Sequence, residues 1–127
     1  MGSRPNEITK SALGIIDEEE YLKILQHIID GNLEKCLESI NDILNNGVPI
    51  INFIDGFNIY LKDAIYCYAN YKKNITINQA SIDFFKKSKL NIKIVSKLLN
   101  VNLEYLIKYN KNLTNISLEN HFIKIFS

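Results

Sequence analysis

Apolar and polar positions alternate with a helical period along almost the whole chain. In DEEEYLKILQHIIDG, Asp17 to Gly31, the residues Leu22, Leu25, Ile28 and Ile29 fall on one face, at the spacing of an amphipathic helix. Asp17 suits the N-cap, and Glu18, Glu19 and Glu20 place negative charge at the positive end of the helix dipole, with Glu20 at the capping-box position. Glu19 and Lys23 form an i,i+4 pair, and Gly31 is the stop. A second helix, Asn32 to Asn45, turns Leu33, Cys36, Leu37, Ile40, Ile43 and Leu44 inward and ends at NNG. The short link between the two predicts an antiparallel hairpin. A further short helix is expected around Thr9–Leu13.

The third helix departs from this one-sided pattern. Opened by Pro49 at its first turn and running to about Lys73, it contains FIDGFNIYLKDAIYCY. Ile54, Phe57, Leu61, Ile65 and Tyr68 make one apolar stripe, and Phe53, Tyr60, Ala64, Cys67 and Tyr71 a second. A helix apolar on two sides must be covered on both, so it is expected at the centre of the molecule, with the hairpin on one side and the C-terminal helices on the other. Gly56, inside it, costs about 1 kcal/mol relative to alanine and suggests close packing. NITIN is a connector, with Asn78 or Thr76 capping a shorter helix through Phe84 and Phe85. The fifth helix, from about Asn91, carries Ile92, Val95, Leu99, Leu103 and Leu106; NKNLTN breaks it. The last, about Asn115 to Phe126, turns Leu118, Phe122 and Ile125 inward. The expected fold is all-α, a compact five- or six-helix bundle.

With 127 residues, of which 46% are hydrophobic, the chain has the material for one domain. Residues 1–7, beginning MGSRP, read as a cloning remnant or disordered lead-in, and 8–127 as a single helical domain. No apolar run reaches the roughly 20 residues that a bilayer requires, and no signal peptide is evident. Cys36 and Cys67 each lie in an apolar stripe and read as small buried hydrophobes, which suits the reducing cytoplasm. Heavy use of Ile, Asn and Lys, with Arg4 the single arginine, reflects AT-rich coding, and the N-x-S/T triplets at Asn74, Asn112 and Asn115 follow from it by chance.

The net charge of +1 conceals a division. Residues 1–63 carry 5 basic and 11 acidic side chains, and residues 64–127 carry 10 basic and 3 acidic. Either the two sets neutralise one another within the fold, or they present opposite faces to neighbours.

No catalytic chemistry stands out. His27 and His121 lack the partners of a helical metal site, and His121 reads as a packing or surface residue. There is no phosphate-binding glycine loop and no nucleophile elbow. Consecutive carboxylates at Asp17–Glu20 diverge on a helix and fit capping better than metal binding. No cofactor, metal or catalytic residue is expected. Lys86, Lys87, Lys89, Lys93 and Lys97 form a basic cluster in which Lys89, Lys93 and Lys97 share a face if one helix runs through them. It suits phosphates, an acidic partner or plain solvent. The segment lacks arginine and interleaved aromatics, which weakens the nucleic-acid reading.

Three segments in order resemble the C-terminal collar domain of the bacterial DNA polymerase III gamma/tau subunit, the clamp-loader ATPase. ALGIIDEEEYLKILQHIIDGNLEKCLESINDILNNGVPIINFIDGF is similar to the family's LG-x-x-D opening, its I-x-x-G helix, a second helix ending in glycine and an F-x-x-x-L run. YLKDAIYCY resembles L-R-D-L-L, with Lys62 in place of arginine. NLTNISLENHFIKIF resembles the terminal N-P-R-x-x-L-E-x-x-L-L-K-L helix through Leu118, Glu119, Lys124 and Ile125, with Thr114 and Asn115 replacing Pro-Arg. The likeness spans about Ile8 to Phe126 and is poorest between Asn74 and Ile94.

The resemblance implies a non-catalytic oligomerisation domain in DNA replication. The full-length family subunit is an ATPase, with nucleotide-binding and lid domains preceding the collar. Partners would be other gamma/tau copies and the delta and delta-prime subunits, in the cytoplasm, without a membrane and without direct DNA contact. A ring uses heterologous contacts, which the divided charge would suit. Tyr60, Lys62, Asp63, Tyr66, Tyr105 and Tyr109 are the candidate subunit-interface residues, the tyrosines because amphipathic aromatics favour interfaces; the core claims each tyrosine equally. The alternatives are a small DNA-binding domain using the Lys86–Lys97 cluster, or a helical adaptor unrelated to replication.

Overall fold

A computed structural model describes residues 16–71, 75–110 and 112–127. Among them all regular structure is helical: α1 (Glu18–Asp30), α2 (Leu33–Asn45), α3 (Ile50–Tyr68), α4 (Gln79–Lys87), α5 (Ile92–Tyr109) and α6 (Asn115–Phe126). The expected all-α bundle is the observed one. The short helix predicted around Thr9–Leu13 lies outside the described residues.

Local chemistry sets most boundaries. Asn32, Asn78, Asn91 and Thr114 each accept a hydrogen bond from the backbone N–H three residues on, at 3.0 to 3.1 Å, and so satisfy a donor that the helix leaves free. At Thr114 the exchange is reciprocal, because its own N–H donates to Ser117 Oγ at 3.1 Å. Asp17 occupies the N-cap of α1 but makes no side-chain capping bond. Glu20 accordingly completes no capping box; its carboxylate meets Lys23 at 3.6 Å, an i,i+3 pair where the sequence suggests Glu19. Pro49 is the N-cap of α3 rather than its first residue.

The end of α3 is a second correction. The helix stops at Tyr68, before the expected Lys73, because Asn70 turns into the left-handed region at φ 55°. Asn70 N–H then donates to Cys67 O at 3.2 Å and Tyr71 N–H to Tyr66 O at 2.8 Å. That is the double bond of a Schellman cap, which Gly31 also makes at the end of α1. Asparagine is the residue besides glycine that tolerates this backbone.

The α1–α2 hairpin forms as expected, and α3 makes its most extensive packing with α5 while also touching α1 and α4; α6 bridges α2 and α5. Both stripes of α3 are buried through Ala64, with Phe53, Ile54, Phe57, Tyr60, Leu61 and Ala64 at most 4% exposed; Ile65, Cys67 and Tyr68 are partly buried, and Tyr71, past the helix end, is 46% exposed. An aromatic column runs through this centre. Tyr21 lies flat against Phe57 (ring centroids 5.6 Å, 7° between planes) and beside Phe53 and Tyr60, and Phe122 of α6 closes over Phe53 and Phe57. Tyr21 crosses α3 at Gly56, where an added Cβ would collide with its hydroxyl.

Two stripes are rotated from their expected positions. On α1 the fully buried residues are Tyr21, Ile24 and Leu25, leaving Leu22, Ile28 and Ile29 half-covered. On α5 they are Val95, Leu98, Asn102 and Tyr105, while Ile92 and Leu103 are each 44% exposed. The rotation of α5 turns a polar residue, Asn102, into the core, where it forms part of a hydrogen-bonded chain.

Candidate functional site

α3 carries four of the six expected interface residues, and its helical turn divides them. Tyr60 and Asp63 point inward, each 4% exposed, whereas Lys62 is exposed and Tyr66 half-buried. Of the pair on α5, Tyr105 is 3% exposed and Tyr109 half-buried. Tyr60, Asp63 and Tyr105 therefore offer almost no surface to a neighbour, and the LKD segment is half core. Lys62 Nζ stands 5.7 Å above the Tyr66 ring, whose edge meets Tyr71. Lys108 Nζ is similarly 5.5 Å from the Tyr109 ring. Lys62, Tyr66 and Tyr109 are the accessible part of the predicted surface.

The buried members join polar networks. Tyr60 hydroxyl donates to Ser81 Oγ at 2.7 Å, and Ser81 donates in turn to the Glu18 carboxylate, which also accepts from Asn78 N–H at 2.8 Å. One side chain of α1 thus pins the start of α4 to the centre of α3. Burial raises the Tyr60 phenol well above its ordinary range. Asp63 beside it is raised by burial, with Lys62 and a hydrogen bond to Thr76 opposing and Glu18 reinforcing the shift. Tyr105 donates to Ser117 Oγ at 2.8 Å, which donates to Thr114 O.

A third network links three helices. His121 Nε2 donates to Asn102 Oδ1 at 2.7 Å, and Asn102 donates to Asn58 Oδ1 at 2.9 Å. The imidazole is 5% exposed and stacks on Tyr105 with 4.6 Å between centroids. Burial, helped by the charge of Lys124, lowers its pKa to about 4. His121 is a neutral core group, the packing alternative of the two expected.

Glu18, Asp55 and Asp63 line an open groove of about 590 Å³ together with Tyr21, Tyr60 and Thr76. A second groove, about 820 Å³, lies between α1 and α4 over Leu22, Ile29 and Phe84. Among the described residues no group of three or more His, Cys, Asp or Glu is placed to hold a metal ion. Cys36 is buried and Cys67 partly so; both are free thiols. Burial pushes the Cys36 thiol up to about 12 and also raises Cys67.

All five lysines of the basic cluster are exposed. They do not form one stripe: α4 ends at Lys87, Lys89 sits in the link, and only Lys93 and Lys97 share a helix face, on α5. The sequence reading missed Glu18–Ser81 and Asn58–Asn102–His121, since each pairs single polar residues 19 to 63 positions apart. Among the described residues, no helix is long and apolar enough to cross a membrane. No family model, no curated protein and no solved structure matches this chain.

Proposed function

We propose that the chain is a non-catalytic oligomerisation domain of the clamp-loader collar type, acting by helix–helix packing in DNA replication within the cytoplasm. The observation that carries this reading is the apolar surface left on the two C-terminal helices. Ile107 and Ile116, about 80% exposed, flank the α5–α6 turn, and Ile92, Ile94, Leu103 and Ile123 on the same helices are 41–44% exposed. Ile51 and Ile59 of α3 are also exposed, but six exposed apolar residues on two adjacent helices are what a helix–helix contact would use. The all-helical architecture is compatible with a collar, and the ordered motif resemblance supplies the assignment to the gamma/tau family. Partners on this reading are further gamma/tau copies and the delta and delta-prime subunits.

The test is reconstitution with those subunits from the same source. Co-elution of the chain, fused to the ATPase module it would accompany, with delta and delta-prime is the expected result. Failure to co-assemble, or the absence of a P-loop ATPase module encoded directly before Ile8, overturns the assignment. The exposure of all five cluster lysines favours a second reading, DNA binding. Tight retention of duplex DNA by the isolated chain at physiological salt would select it.

A further inference from the structure

Among the described residues, the outer face of α5 lacks a partner. Val95, Leu98, Asn102 and Tyr105 take the inner face, and Ile92, Ile94, Leu103 and Ile107 remain exposed. Between those apolar residues the outward positions carry Lys93, Lys97 and Lys108, all exposed, with Glu104 as the acidic exception. A face that is apolar at its flanks and basic along its middle is suited to a docking helix of opposite charge.

The chain contains that complement. On its exposed side α2 carries Glu34, Glu38 and Asp42, repeating every four residues, with Lys35 as the basic exception. Residues 16–49, which hold the α1–α2 hairpin, carry eight acidic side chains against Lys23 and Lys35. Lys93 and Lys97 have the same four-residue repeat, about 6 Å along a helix axis. Two lysines can therefore meet two successive carboxylates without either helix bending. α6 packs on both α2 and α5, and among the described residues Lys93 and Lys97 make no ion pair with Glu34, Glu38 or Asp42 of their own molecule.

From this charge complementarity we infer that the occupant of the α5 face is the α2 face of a second copy of this chain. The contact is heterologous, since each copy retains a free α2 and a free α5, and it builds a ring or an open chain of copies rather than a two-fold dimer. The inference rests on the oligomerisation reading and specifies which surfaces meet. Like charges facing one another after a reversal disfavour the contact, whereas opposite charges restore it.

The test is a charge swap on the full chain, followed by sedimentation at low salt. The wild type is expected to show a mass that rises with concentration, with a dissociation constant at least about tenfold weaker when the salt is raised to screen the contact. Lys93→Glu/Lys97→Glu and Glu34→Lys/Glu38→Lys are each expected to remain monomeric while keeping a wild-type helical circular dichroism spectrum. Mixing the two variants restores association, because the unaltered α5 of one meets the unaltered α2 of the other and the reversed pair also carries opposite charges. A wild type monomeric up to about millimolar concentration, variants that associate like the wild type, or a mixture that stays monomeric each overturns the inference. So does a lysine variant that loses DNA retention but keeps self-association, which would assign the face to phosphates. Normal co-assembly with delta and delta-prime by the charge-reversed variants would refute this contact while leaving the collar assignment standing.

Discussion

Gly56 and Tyr21 show how one missing methyl group organises the core. A glycine in mid-helix costs about 1 kcal/mol relative to alanine, yet here it lets the Tyr21 ring lie across α3 and donate to Phe53 O at 3.1 Å. Gly56→Ala should therefore destabilise the protein despite its better propensity, by about 1–3 kcal/mol from overpacking. The Cβ would first meet the Tyr21 hydroxyl. Tyr21→Phe alone loses one hydrogen bond, about 1 kcal/mol, while the double variant should be more stable than the two single losses sum to. A double-mutant cycle by urea denaturation measures this coupling, and strict additivity would refute the clash. His121 makes a second prediction. Its native pKa of about 4 lies below the ordinary 6.5, so the unfolded chain takes up a proton first as pH falls. Its stabilising contribution is whole above pH 6.5 and declines as pH drops toward 4. Between pH 7.5 and 5 the loss is on the order of 2 kcal/mol. Denaturation of wild type and His121→Gln at both pH values should give a flatter profile for the variant; parallel profiles would show that His121 does not carry the effect.

Among the elements, α4 depends most on a single polar attachment. Its nine residues pack mainly on α3, too few for a helix stable by itself, and Ser81 fixes its first turn between Tyr60 and Glu18. Ser81→Ala leaves the Tyr60 hydroxyl buried without its acceptor, at a cost of about 1–3 kcal/mol. The amides of α4 should exchange faster than those of α2 in hydrogen-exchange experiments, and equal protection would contradict the role of the clasp. Nothing in the spacing of Glu18 and Ser81 announced it. By contrast, helix starts were largely legible, since Asn32, Asn78 and Asn91 act within their own first turn. The end of α3 was missed because Asn70 substitutes for glycine in the cap. The faces of α1 and α5 were misplaced because Tyr21 and Asn102 look too polar for a core until their hydrogen-bond partners are known. Of the candidate surface, the exposed lysines could be read from composition, but the break between Lys89 and Lys93 required the Asn91 cap to be recognised as decisive.

For the whole molecule, apolar residues divide between two tasks that burial separates. Phe53, Ile54, Phe57 and Leu61 are fully enclosed around α3, whereas Ile107 and Ile116 contribute little to the fold of a single copy. Domains of this size are stable by about 5–15 kcal/mol in total, so one large core truncation removes a substantial fraction. Phe57→Ala, which deletes the ring contacting both Tyr21 and Phe122, should cost about 3–5 kcal/mol. Ile107→Asp, on a side chain 79% exposed, should change monomer stability by no more than about 0.5 kcal/mol. The order reverses for association: Ile107→Asp places a carboxylate on a contact face already holding Glu104, and should weaken self-association while leaving the denaturation midpoint of dilute protein unmoved. Urea denaturation at low protein concentration, paired with sedimentation at high concentration, separates the two roles. An Ile107→Asp protein that unfolds early would place that residue in the core, and one that associates like the wild type would remove the α5 face from the assembly.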